Sequence, residues 1–309
     1  MSHESLRIGV DLGGTKIEAV ALDLAGDVLG RRRVATPAHD YDAILRAIAA
    51  LVHELELETG RRGTVGIGTP GAVSTRTGLV KNSNTTGLNG KPLVEDLSKA
   101  LQRSVRVEND ANCFALSEAV DGAGAGVKTV FGVILGTGVG GGIVVDGKPI
   151  AGRNRVAGEW GHNPLPWMKP DEYPGRPCYC GHDGCVETFL SGPALAFDYK
   201  SRSGQDLDGA QIAALADRGD AVALETLAAY QERLARALAG VVNLLDPDVI
   251  VLGGGVSNIA RIYDGLGKMV EQRAFTDALD TKILPNVHGD SGGVRGAAWL
   301  WGAGEATIS

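Results

Sequence analysis

Short apolar runs that stop at glycine alternate along this chain with longer stretches of helical period. Leu6 to Leu12 is one such run. Gly13-Gly14-Thr15-Lys16 turns it, and Ile17 to Leu22 returns it. Asp23 to Asp27 turns the chain again into Val28 to Ala35, so three antiparallel strands are expected at the start. From Asp40 to Thr59 the apolar positions Ile44, Ile48, Leu51, Val52 and Leu55 fall on one face of a helix. Gly63 to Gly68 reads as a buried strand closed by Thr69-Pro70-Gly71. Residues 70–91 form a polar loop, Leu93 to Leu101 a short helix, Ser104 to Glu108 a strand, and Ala111 to Val120 a helix.

Asp121-Gly122-Ala123-Gly124-Ala125-Gly126 then reads as a hinge between domains. Beyond it, Gly132-Val133-Ile134-Leu135-Gly136-Thr137-Gly138 repeats the opening Gly9-Val10-Asp11-Leu12-Gly13-Gly14-Thr15, and Gly142 to Val145 returns it. A repeated strand–glycine turn–strand unit points to two related halves closing on one nucleotide. Pro193 to Tyr199, Gly209 to Asp217 and Asp220 to Leu245 follow as helices. The last carries a stripe of Leu227, Tyr230, Leu234, Leu238, Val241 and Val242, which reads as core or dimer contact. Asp248 to Leu252 is a buried strand ending at Gly253-Gly254-Gly255, where adenine or ribose can lie against backbone. Arg261 to Gln272 is expected as a helix, Lys282 to Leu284 as a short strand and Gly292 to Trp301 as a closing helix.

Composition narrows the partners. A net charge of −7 argues against nucleic acid and anionic membranes. The longest uncharged run, Thr129 to Val145, holds six glycines and is short for a membrane span. Met1 to Ser5 lead straight into a strand with no secretory segment, so the cytoplasm is the expected compartment. The 45 glycines cluster at the ends of apolar runs, where backbone must approach phosphate closely.

Two carboxylates and one cysteine cluster carry candidate chemistry. Asp11 ends a strand beside a turn of exposed N–H groups. Such a turn can cradle phosphate, and an Asp there can hold Mg2+ through water; the plainer alternative is a hairpin Asp bonding its own turn. Asn109-Asp110-Ala111-Asn112 sits at a strand-to-helix junction. Asn109 or Asp110 can be a helix cap there, or Asp110 can be a general base, since an ordinary Asp titrates near about 4 and is ionised at neutral pH. His162, Cys178, Cys180 and Cys185 supply one imidazole and three thiols, a set suited to tetrahedral zinc. A disulfide pair or buried inert thiols are weaker readings for a Gly-rich loop in a reducing compartment. Glu159 and Glu187 flank this knot. With one nitrogen on metal, His162 would keep the other free to donate, so the three would form a polar cluster for a polyhydroxylated ligand; the plainer alternative for each Glu is a solvated surface charge.

Taken together these segments resemble the ROK family (repressors, open reading frames and sugar kinases) along essentially the whole chain. The resemblance is carried by Asp11-Leu12-Gly13-Gly14-Thr15-Lys16, Gly66-Ile67-Gly68-Thr69-Pro70-Gly71, Glu108-Asn109-Asp110-Ala111-Asn112, Leu135 to Gly142, Gly158-Glu159-Trp160-Gly161-His162, the Cys-x-Cys-Gly-x-x-Gly-Cys loop with Glu187, and Asp246 to Gly255. It implies an actin-like, ribonuclease-H-like α/β ATPase fold of two α/β domains with a nucleotide cleft between them. The expected domains are residues 1–120, with a C-terminal helix 292–309 packing back on them, and residues 121–291 with the zinc loop and nucleotide site. It further implies zinc on His162, Cys178, Cys180 and Cys185, Asp110 as catalytic base, and Gly71, Asn84, Asn109, Asp110, Glu159, His162 and Glu187 as the sugar-binding set. ATP with Mg2+ would lie against Asp11, Gly13, Gly14, Thr15, Lys16, Gly136, Thr137, Gly138, Gly253, Gly254 and Gly255, with Asp11 reaching Mg2+ through water.

Within that family, Asn82 to Gly90 and His162 to Trp167 look most like bacterial fructokinases that also accept mannose, forming the 6-phosphate. Kinases of N-acetylglucosamine, N-acetylmannosamine or glucose are the alternatives. Family repressors carry a winged helix before the first strand, and the five residues ahead of Leu6 are too few for one. A non-catalytic sugar-sensing regulator and a chaperone-like or cytoskeletal ATPase are readings from other classes. Intact Asp11 and Asp110 speak against the first and the zinc knot against the second. The expected partners are a small hexose and ATP, with a homodimer as the expected assembly.

Overall fold

The computed structural model describes residues 6–302. Met1 to Ser5 and the end of the expected C-terminal helix, residues 303–309, lie outside the described residues. The chain divides into two compact units. The first comprises the chain up to Gly126, Gly142–Ala157 and the chain from Asp290; the second comprises Val127–Gly141 and Gly158–Gly289. Gly142–Ala157, inside the stretch expected to be one C-terminal domain, thus groups with the first unit.

The first unit begins with strands β1 (Leu6–Leu12), β2 (Lys16–Leu22) and β3 (Val28–Ala35), then helix α1 (Tyr41–Thr59) and strand β4 (Gly63–Thr69). Two short strands, β5 (Ala72–Val73) and β6 (Val80–Lys81), pair inside the polar loop. Helix α2 (Leu93–Leu101), strand β7 (Val105–Asn109) and helix α3 (Asp110–Val120) complete this part. The sheet runs β3-β2-β1-β4-β7, antiparallel across β3-β2-β1 and parallel across β1-β4-β7.

Strand β8 (Thr129–Leu135), β9 (Val139–Val145) and β10 (Lys148–Pro149) repeat the opening hairpins. Helices α4 (Glu187–Leu190), α5 (Gly192–Ser203), α6 (Gly209–Asp217) and α7 (Ala221–Leu245) follow, then β11 (Val249–Gly253), α8 (Leu266–Glu271), β12 (Lys282–Pro285) and α9 (Gly292–Ala298). The second sheet runs β10-β9-β8-β11-β12, with β8, β11 and β12 parallel. This is the same order as the first sheet, as the repeated strand–turn–strand pattern predicts.

Asp40 caps α1 by accepting from the Ala43 N–H, and Gly60 ends it in the left-handed region. One face of α1 therefore lies on Ile8, Val10, Ile17, Ala19 and Ile67 of the sheet. The other face of the sheet takes α9. A Cβ on Gly9 would lie 2.0 Å from the Val294 carbonyl oxygen, and one on Gly66 1.9 Å from that of Ala297. Only bare backbone on β1 and β4 lets this helix approach so closely. α9 stops at Ala298 rather than Trp301, and the Trp301 indole donates to the Val65 carbonyl.

In the second unit the expected helix from Arg261 to Gln272 is broken. Ala260–Tyr263 is a 3-10 turn, and Gly265, at φ 72°, turns the chain before α8 starts. The residues Leu227, Tyr230, Leu234, Leu238 and Val242 of the α7 stripe are buried, and Val241 is half-buried. The same helix presents Arg233 and Arg236 to Glu172, which is buried. Burial alone would raise the Glu172 carboxyl, but hydrogen bonds from Arg236, Arg233 and the Lys169 N–H outweigh it and hold the group at about 2. This knot fastens the segment between His162 and Cys178 to α7. Among the described residues no helix is long and apolar enough to cross a membrane.

Candidate active site

In the first unit, the β1–β2 turn and the start of α3 meet. The Gly13 N–H donates to the Lys16 carbonyl, and the Thr36 hydroxyl donates to the Gly13 carbonyl. Gly14 and Thr15 are exposed at the tip. Asp11 sits below, half-buried. Burial, then the charges of Asp110 and Glu18, raise its carboxyl to about 7, and Lys16 offsets little of this. A buried carboxylate with a second carboxylate beside it is a group that a bound cation would stabilise. Lys16 itself lies 3.7 Å from Glu18, which Arg31 and Arg33 also hold.

At the β7–α3 junction, Asn109 is the helix cap. Its side-chain oxygen accepts from the N–H groups of Ala111 and Asn112. Its amide donates to the Gly71 carbonyl at 3.1 Å, which ties the loop after β4 to the cap. Asp110 is the first residue of the helix, and one of its oxygens accepts from the Ala111 N–H at 2.9 Å. The capping role thus belongs to Asn109. Asn84 is exposed in the polar loop.

Two residues here were not singled out from sequence. Glu108 accepts from the Asn109 N–H and the Asn112 amide and pairs with Arg155, so it braces the junction. Thr85 is buried with no partner for its hydroxyl among the described residues, 3.6 Å from where a Gly14 Cβ would stand. Both lie inside quoted motifs or loops, but nothing in their spacing announces the contact.

In the second unit, Trp160 packs edge-on against Phe131 and donates its indole N–H to the Gly140 carbonyl. That fixes the 3-10 turn Trp160–His162 against β9 and aims His162 at the cysteine loop. The ligand atoms of His162, Cys178, Cys180 and Cys185 all lie within 4.8 Å of one another. Cys180 Sγ is 3.5 Å from Cys185 Sγ, and Cys178 Sγ is 3.6 Å from His162 Nδ1. A tetrahedron with metal–sulfur bonds of about 2.3 Å and metal–nitrogen bonds of about 2.0–2.1 Å has edges of roughly 3.5–3.8 Å. The donor set and its spacing therefore fit zinc.

The imidazole nitrogen expected to be free is not. His162 Nε2 lies 3.0 Å from the Tyr179 hydroxyl, with the rings edge-on at 5.1 Å. Tyr179 is 82% exposed, yet desolvation at its hydroxyl end, then the charges of Glu187 and Glu159, push its phenol up to about 12. Tyr179, His162, Glu159 and Glu187 accordingly share one neighbourhood.

Glu187 also reaches the second glycine turn. Its Oε2 accepts from the Val139 N–H at 2.9 Å, and a Cβ on Gly138 would lie 2.6 Å from that oxygen. Five residues further on, the Gly192 N–H donates to the Gly136 carbonyl at 2.7 Å. The segment after Cys185 therefore clamps the Gly136–Gly138 turn from both sides, while Thr137 stays exposed at its tip. Pairing of β11 with β8 brings the third glycine cluster alongside. Gly254, at φ 83°, lies so close to Leu135 that a Cβ would meet its carbonyl oxygen at 2.5 Å, and Gly255 faces open space. Gly253 is buried at the end of β11.

The model of the ROK family matches residues 7–303 of this chain. An N-acetyl-D-glucosamine kinase of Escherichia coli O1:K1 is 43% identical over 296 residues, covering 94% of this chain and 98% of that protein. The crystal structure of a ROK hexokinase from Thermus thermophilus superposes with a TM-score of 0.85 at 31% identity, covering 96% of this chain and 97% of that one. A ROK family glucokinase from Streptomyces griseus, solved with glucose and AMPPNP, gives a TM-score of 0.75 at 32% identity, covering 96% and 98%. The two mixed sheets are those of the actin-like fold that these kinases have.

Proposed function

The chain belongs to the ROK family and is a sugar kinase, and we propose that it phosphorylates N-acetyl-D-glucosamine with ATP. The observation that carries the choice of sugar is the 43% identity to the Escherichia coli N-acetyl-D-glucosamine kinase over nearly the full length of both chains. It favours the amino sugar over the fructose expected from the sequence motifs. Glucose is the second reading, favoured by the Streptomyces glucokinase solved with glucose.

In this reading the γ-phosphoryl of ATP moves to a primary hydroxyl of the hexose. Such transfer depends on positioning and charge neutralisation. The glycine turns at Gly13-Gly14 and Gly136 to Gly138 would hold phosphate oxygens at their exposed tips, Gly14-Thr15 and Thr137, and the Gly253–Gly255 cluster admits the nucleoside. Asp11 would hold Mg2+ through water, and the ion would supply charge neutralisation. Asp110 takes the proton of the attacking hydroxyl, an effect of about 10²–10⁴-fold for a positioned base. Gly71, Asn84, Asn109, Glu159, His162 and Glu187 would bind the sugar. His162, Cys178, Cys180 and Cys185 would hold zinc, and four protein ligands would leave no open position on it for chemistry.

The experiment is a coupled ADP assay across N-acetylglucosamine, glucose, fructose, mannose and N-acetylmannosamine, for wild type and Asp110→Asn. We expect the highest kcat/KM on N-acetylglucosamine and a loss of roughly 10²–10⁴-fold in kcat for the variant, with sugar affinity retained. A higher kcat/KM on fructose or glucose would overturn the choice of sugar. A variant with near-normal kcat would overturn the role of Asp110.

A further inference from the structure

Tyr179 stands between two residues of the proposed metal site, Cys178 and Cys180. Its backbone would be held from both sides when the metal is bound, while its ring is exposed and meets the His162 imidazole edge-on. What holds the ring is the contact of its hydroxyl with His162 Nε2 at 3.0 Å. The other imidazole nitrogen faces Cys178 Sγ at 3.6 Å, inside the ligand cluster. With Nδ1 on the metal, the neutral ring carries its proton on Nε2. That N–H donates, and the Tyr179 oxygen accepts.

His162 Nε2–H is also the donor that the sugar-kinase reading assigns to a sugar oxygen, so this inference rests on that reading. A single N–H cannot serve both acceptors at full strength. We propose that Tyr179 is a gate that competes with the sugar for His162. In the empty enzyme the phenol oxygen takes the place of a sugar oxygen on Nε2–H; when the hexose binds, its oxygen takes that hydrogen bond and the exposed ring swings aside. The phenol keeps the imidazole aligned while the site is empty, and it sets a threshold that a ligand must exceed. A molecule that cannot supply an acceptor to Nε2–H does not displace it.

The test is Tyr179→Phe, which removes one oxygen from an exposed ring and leaves both flanking cysteines. Sugar affinity is read by calorimetry without nucleotide, alongside KM for sugar and for ATP, kcat, and zinc content by metal analysis. The hexose used is whichever the wild type phosphorylates best. A competing hydrogen bond of ordinary strength predicts sugar binding tighter by about two- to tenfold. The KM for sugar should fall in step, with kcat, KM for ATP and zinc content unchanged. Unchanged sugar affinity would overturn the gate. Weaker binding would overturn it too, because the phenol would then be a sugar contact, and zinc loss would make it a metal-site brace. The wild-type arm separates the two ideas. If the wild type binds a hexose and the variant gains nothing, only the gate falls; if the wild type binds no hexose, the sugar site itself falls and the gate with it.

Discussion

Replacing Gly138 by Ala tests whether the cysteine loop and the second glycine turn act as one object. A Cβ at this position would stand 2.6 Å from Glu187 Oε2. Ordinary contact needs roughly 3.5 Å, so the carboxylate must retreat by about 1 Å. That same oxygen accepts from the Val139 N–H at 2.9 Å, and a displacement of this size takes the bond out of range. Hydrogen bonds to a charged group contribute about 1.5–3 kcal/mol, so the turn should lose about 10- to 150-fold in affinity for phosphate. Glu187→Ala removes the same bond and should match it. Glu187→Gln keeps an oxygen at the same length without the charge and should fall between these variants and wild type. The assay is calorimetric titration with AMPPNP in the absence of sugar, which excludes any effect of Glu187 on sugar. If Gly138→Ala and Glu187→Ala bind the analogue as wild type does, the clamp does not position the turn.

Three further outcomes are expected. Purified protein should carry about one zinc per chain, and Cys185→Ser should lose it together with thermal stability, as metal analysis and calorimetric scanning would show; full Tm without metal would refute a structural role. Glu172→Gln removes the buried charge shared by Arg233 and Arg236, which keep Asp198 and Glu232, and should destabilise by about 1–3 kcal/mol at pH 7. Because the Glu172 carboxyl is depressed to about 2, its contribution is present above its ordinary value and lost as pH falls through 2, so the gap to wild type should narrow in denaturant titrations below pH 4.5 and not above. Asp11 has the opposite sign. Its carboxyl is raised to about 7, so the folded state favours the proton and stability falls as pH rises through 7. Asp11→Asn should therefore raise the Tm of the nucleotide-free protein at pH 8 but not at pH 4, and a pH-independent difference would contradict the burial argument.

What the sequence makes legible is whatever local spacing determines. α1 is bounded by an Asp cap and a glycine stop, and both are visible in the pattern around Asp40 and Gly60. The doubled strand–turn–strand unit announces two sheets of one order, and the sheets have it. The helix from Arg261 fails for an equally local reason: apolar period continues through Gly265, but its backbone leaves the helical region there. The four ligand residues converge although Cys-x-Cys spacing is unusually tight, because the loop closes on itself between Cys178 and Cys185, where the Cys178 N–H donates to the His182 carbonyl.

In each unit the contacts that position the candidate residues join positions far apart in sequence. Glu187 meets Val139 across 48 positions, and Asn109 meets Gly71 across 38. No window of periodicity contains either. Tyr179 is hidden for a different reason: an aromatic between two cysteines has no period to betray it, and its role depends on where one hydroxyl points. The choice of sugar is less legible still, since epimers differ in one hydroxyl and selectivity follows from hydrogen-bond geometry. The place of the Cys/His cluster in the chain gives the proposed zinc a structural task. Cys185 is two residues from Glu187 and seven from Gly192, and these two fasten the Gly136–Gly138 turn. In the proposed reading, a metal on these four residues would hold His162 for the sugar at one end of the loop and the Gly136–Gly138 turn at the other.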